Sequence, residues 1–137
     1  MRAVNRFEAS LLLVLLAPLP VAHAQPNYRG TYASDCAKQQ EASVIIKADD
    51  VIVLRTATGA QTLKLVENHP GFYGRLPPPP GFVTALLTED ASGKGLDIEV
   101  FESSGAMTIK VSGHPDVEKS LPASLRKNRV PRCDGQR

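Results

Sequence analysis

The feature that most constrains this chain is a pair of cysteines set far apart, Cys36 and Cys133, with no other cysteine in the sequence. Cys36 ends a strand-like run that starts at Gly30, and Cys133 stands four residues from the C-terminus. A bond between them would close a loop of 98 residues, for which the chain-entropy argument gives about 4 to 5 kcal/mol. That is comparable with the whole stability of a small domain. Whatever lies between must therefore bring its two ends together. Cysteines so far apart lack the close pairing usual in zinc sites, and no metal or other cofactor is expected.

Such a bond persists only in an oxidising compartment, and the first residues point to one. Met1 to Ala24 has a basic start at Arg2 and Arg6, an apolar run from Leu11 to Ala22, and the small-residue pattern Ala22-His23-Ala24. These are the parts of a secretory signal, with cleavage expected after Ala24. Pro18 and Pro20 interrupt the apolar run, which falls short of the roughly 20 residues a membrane span needs. No cysteine follows the cleavage site to carry a lipid, and the two arginines are not adjacent as twin-arginine export requires. The expectation is a single exported β domain over 25–137, periplasmic or secreted, with no transmembrane segment once the signal is removed.

The middle of that domain reads as hairpins. Val44, Ile45 and Ile46 are separated from Val51, Ile52, Val53 and Leu54 by Asp49-Asp50, two β-branched runs about a turn. Beyond Thr58-Gly59, residues 61–66 alternate, with Leu63 and Leu65 opposite Thr62 and Lys64. A further strand from Phe82 to Thr88 leads through Ser92-Gly93-Lys94-Gly95 to Leu96, Ile98 and Val100, which alternate with Asp97, Glu99 and Phe101. After Ser104-Gly105 the pattern repeats, Met107, Ile109 and Val111 facing in and Thr108 and Lys110 out. The fold class is mainly β: a small antiparallel β-sandwich or barrel of about seven strands, with an end-to-end disulfide. A short C-terminal helical segment is expected in 115–127, where Val117, Leu121 and Leu125 have helical spacing and Pro122 breaks the run into turns.

Two segments stand out as candidate binding surfaces. The loop 67–81 carries Phe72, Tyr73 and Arg75 ahead of Pro77-Pro78-Pro79-Pro80. Four prolines hold an extended conformation, so the loop is either a stiff crossover or a presenter of aromatic and arginine side chains, the commonest interface anchors. The second segment is the C-terminal run from Lys119, with Arg126, Lys127, Arg129, Arg132 and Arg137 against Asp134 alone. It carries +5 while residues 25–118 carry −4. Either these cations pair with the acidic sheet or they form an anion-binding face.

Catalytic patterns are sparse. No serine sits in a nucleophile elbow, and Gly93-Lys94-Gly95 lacks the rest of a phosphate loop. With no tryptophan and few aromatics, stacking on nucleic acid is poorly supported. The leading expectation is a non-catalytic exported binding module, an inhibitor or envelope accessory protein recognising a protein or an anionic polymer. A lipocalin-like carrier of a small apolar ligand is the alternative. A small hydrolase using His69 or His114 as a base is the third.

Overall fold

The structure is a computed structural model describing Pro18 and residues 27–71, 74–126 and 129–134. The signal segment, apart from Pro18, and Phe72, Tyr73, Lys127 and Arg137 lie outside the described residues.

The chain runs up and down through β1 (Gly30–Tyr32), β2 (Ser43–Ile46), β3 (Val51–Thr56), β4 (Gly59–Pro70), β5 (Phe82–Glu89), β6 (Leu96–Ser103), β7 (Ala106–Gly113) and β8 (Val130–Pro131). Each strand pairs antiparallel with the next in sequence order, and among the described residues these eight form one sheet. A bridge from Tyr32 to Arg132 brings β8 against β1 and makes a nearly closed barrel. Of the two architectures open from the pattern, the barrel is the one adopted, with eight strands rather than about seven. The additional strand, β8, has only two residues, one of them a proline without an N–H, so neither alternation nor propensity marks it.

Local chemistry accounts for the hairpins. Asp50 takes a positive φ of 61° between β2 and β3, where the Lys47 amide donates to the Val51 carbonyl at 2.9 Å. Ser104 and Gly105, at φ 51° and 80°, form the two-residue turn whose twist matches paired strands. At the β5–β6 turn Asp90 organises the backbone, its carboxylate accepting from the Ser92 amide at 2.8 Å, the Ser92 hydroxyl at 2.6 Å and the Lys94 amide at 3.1 Å. These donors, the Ser92 hydroxyl foremost, hold the Asp90 carboxyl below its ordinary value.

Alternate residues of every long strand meet inside. Val44, Ile52, Leu54, Leu63, Leu86, Leu96, Ile98, Val100 and Ile109 are buried in one continuous cluster. Between β7 and β8 lie α1 (Pro115–Glu118) and α2 (Ala123–Arg126), two single turns on either side of Pro122, as the spacing leads one to expect. Their Val117 and Leu125, with Leu121 between them, join the same cluster. The helices thus supply apolar cover where β8 is too short to do so.

Two details of the strands differ from the alternation pattern. β4 continues through Pro70, so residues 67–70 are strand and not loop; a bulge between Leu65 and Glu67 resets its pairing with β5 and leaves Val66 49% exposed. Phe101, placed on the wet face by alternation, is only 2% exposed. The Arg129 guanidinium lies 3.3 Å from its ring centroid, and the Phe82 ring packs edge-on against it, the two centroids 5.8 Å apart. A solvent-facing position is buried there by a later part of the chain.

Candidate functional site

Of the described residues in the two candidate surfaces, Arg75 and Arg126 lie apart, while Arg129 stacks on Phe101 next to Phe82, the first residue of β5 after the proline loop. Turns of a meander alternate between its ends, so Arg75 in the β4–β5 loop and Arg126 in α2, which follows β7, stand at opposite ends of the barrel. Both are exposed.

Cys36 and Cys133 are joined in a disulfide with Cα atoms 5.4 Å apart. Around it the C-terminal run is bound into the barrel. The Ala33 amide donates to the Pro131 carbonyl at 3.1 Å and the Cys133 amide to the Thr31 carbonyl at 2.7 Å. The Asp134 carboxylate accepts from the Thr31 amide at 2.7 Å. Arg132 crosses the face of Gly30, where any Cβ would fall 2.9 Å from its Cδ, and its guanidinium donates to the Asn27 carbonyl at 2.7 Å. With Arg129 stacked on Phe101, two of the proposed cations already have partners in the fold. Sequence reasoning had no signal for either, because both partners are brought close only by barrel closure.

The histidines have separate settings. On β4, His69 Nε2 and Glu67 Oε2 are 2.7 Å apart. His114 precedes α1, where its Nδ1 accepts from the Asp116 amide at 3.2 Å. Asp116 also holds Lys94 at 2.7 Å; that hydrogen bond and charge lower the Asp116 carboxyl and raise the Lys94 ammonium. Among the described residues no group of three or more His, Cys, Asp or Glu side chains is placed to hold a metal ion, and no helix is long and apolar enough to cross a membrane.

A groove of about 350 Å³ lies on the outside of the barrel, lined by Val66, Glu67, Leu87, Glu89, Asp97 and His114 among others. The registers explain it. Glu67 lies opposite Leu87, and Leu87 opposite Asp97, so one row across β4, β5 and β6 reads carboxylate, leucine, carboxylate. Its floor is drawn in at Gly95, where a Cβ would stand 1.4 Å from the Thr88 carbonyl oxygen; only glycine admits this approach. The rows were implicit in the strand patterns, but joining them needed the β4 bulge, which the sequence does not mark.

At the polar end of the interior, the Tyr32 hydroxyl donates to the Tyr28 carbonyl at 2.5 Å. The Asn68 amide donates to the Tyr28 hydroxyl at 3.1 Å and accepts from the Thr84 hydroxyl. Burial pushes the Tyr32 phenol up to about 12. This network satisfies polar groups beside the core.

Neither a protein family, nor a curated protein, nor a solved structure matches this chain.

Proposed function

We propose that this is a non-catalytic exported protein that binds a partner protein on its outer surface. The observation that carries the reading is the barrel interior, occupied by the protein's own Val, Ile and Leu side chains in one cluster. Recognition on such a scaffold belongs to its faces and loops. The filled interior counts against the carrier reading, which needs a cavity. Two of the C-terminal arginines are engaged within the fold, which favours a protein partner over an anionic polymer. The disulfide is compatible with export, and export suits an inhibitor or envelope accessory role.

Affinity capture of partners on the immobilised, disulfide-bonded protein, followed by reconstitution with the purified candidate, tests this. A saturable complex of defined stoichiometry is the expected result. A lipid that co-purifies at one per chain in native mass spectrometry would instead establish the carrier.

A further inference from the structure

We propose that the segment 76–80, Leu76 followed by four prolines, is the recognition element of this protein, an exposed polyproline run that seats in an aromatic-lined groove of a partner protein. The proposal rests on the protein-binding reading above and assigns its surface.

The argument begins with what the run does not do. The Gly71 amide donates to the Val83 carbonyl at 2.9 Å, and Pro70 lies opposite Thr84. β4 and β5 are thus already joined at their shared end, where a two-residue turn suffices to connect antiparallel strands. No distance remains for residues 72–82 to bridge, so the four prolines are not a spacer between halves of the sheet.

The conformation of the run is set in advance. Each proline fixes its own φ, and each residue of 76–79 precedes a proline and is held extended. At the far end the Phe82 amide donates to the Pro79 carbonyl at 3.1 Å. Pro80 and Gly81, the latter at φ 79°, are the central residues of that turn, the type II arrangement in which the first position is itself extended. Gly81 is pressed against β6: the Glu102 amide donates to its carbonyl at 2.8 Å, and a Cβ there would stand 2.4 Å from the Glu102 carbonyl oxygen. The run therefore leaves the barrel from a fixed base, and a partner that takes it up has little chain entropy left to remove.

Its surface is made of rings and free acceptors. Pro77, Pro78 and Pro80 are exposed, and with three residues per turn Pro77 and Pro80 share one edge. Leu76, at 68%, is the most exposed large apolar side chain among the described residues. The carbonyls of Leu76, Pro77 and Pro78 accept no hydrogen bond among the described residues, and prolines carry no N–H to answer them. Apolar rings with acceptors and no donors are complemented by flat aromatic side chains that bring donors of their own, the indole N–H of tryptophan or the phenol O–H of tyrosine. Arg75, exposed beside Leu76, fits a carboxylate at one end of such a groove and sets the direction in which the run is read.

The test is a fluorescence titration of a purified WW domain and, separately, of a purified SH3 domain, each with tryptophan in its proline-binding groove, with the disulfide-bonded protein. This chain has no tryptophan and adds no signal of its own. A saturable emission change with at least one domain is expected. In the amide-labelled protein the accompanying NMR shifts should concentrate at Gly74, Arg75, Leu76 and Gly81. The double variant Pro77→Ala, Pro78→Ala should weaken binding about fivefold or more, because the free chain regains freedom that the prolines had removed. Leu76→Ser should weaken it about tenfold. Both variants should melt as wild type does, since the positions are exposed. No saturable change with either domain, shifts at another surface, or undiminished binding by both variants overturns the proposal. Self-association of the protein that the double variant abolishes also overturns it, since the occupant would then be a second copy. A captured partner that binds wild type and double variant equally overturns it too, and leaves the protein-binding reading standing.

Discussion

The hairpin β6–β7 and the closure of β8 onto β1 perform the same task, pairing two strands, by different means. β6 and β7 are matched over their whole lengths, from Leu96 opposite Gly113 to Ser103 opposite Ala106, across a two-residue turn. β8 has two residues opposite β7 and a single bridge to β1. The first pairing closes a very short loop and needs no help beyond its turn and its inward face. The second joins residues about a hundred positions apart, and loop-closure entropy rises with that separation. The chain meets that cost with a covalent bond and with side chains, Arg129, Arg132 and Asp134, that work across the seam.

Breaking the covalent part of the seam should have the largest effect. Cys36→Ser or Cys133→Ser should each lower stability by about 4 to 5 kcal/mol in denaturant titrations, with the double variant no worse than either single one. In hydrogen exchange, the amides of Ala33 and Cys133 should lose protection before those of β6 and β7. Uniform loss across the sheet would mean that the hairpins depend on the clasp as much as the closure does.

The hairpin side of the comparison yields the next largest effect. Ile98 and Ile109 are fully buried, and alanine at either should cost about 2 to 5 kcal/mol. Alanine at exposed Lys110, whose Glu99 partner is 3.9 Å away, should cost under about 0.5 kcal/mol. These inward and outward assignments were legible in the sequence because strand alternation is a local property that each hairpin fixes for itself. Strand β8 and the burial of Phe101 were not legible. Both are produced by residues that arrive from elsewhere, Pro131 beside Thr108 and Arg129 above the ring. The candidate groove falls between these cases: its residues lie on strands that alternation finds, but their row is set by the bulge at Val66.

A smaller effect belongs to the seam's polar neighbour, Tyr32. Burial raises its phenol from the ordinary 10.0 to about 12, so between those values the unfolded chain has released a proton that the folded chain still holds. Stability from this source is therefore complete below pH 10 and lost as pH rises towards 12. Thermal melts across that range should show a decline that Tyr32→Phe reduces. An unchanged slope in the variant would assign the alkaline loss to other groups.

The smallest effects distinguish cations that hold the seam from one that does not. Arg129 lies over Phe101 at 3.3 Å, an exposed cation on a buried ring, and Arg129→Gln should cost about 0.5 to 1 kcal/mol. Arg132→Gln should act in the same direction, since it removes the donor to the Asn27 carbonyl. Arg126, exposed at the end of α2, has neither kind of contact among the described residues, and Arg126→Gln should change stability by less than about 0.5 kcal/mol. Replacing Arg126, Lys127, Arg129 and Arg132 together then separates two uses of the basic segment. If the segment serves closure, the combined variant melts lower, by about the sum of the Arg129 and Arg132 effects, and retention on heparin is the same as for wild type. If the segment is an anion-binding face, retention falls and the single Arg126→Gln variant shares in the loss, because a charge that contributes nothing to the fold still contributes to the field. Denaturant titration and heparin retention of the same four-fold variant thus decide whether these charges were placed for the seam or for a ligand.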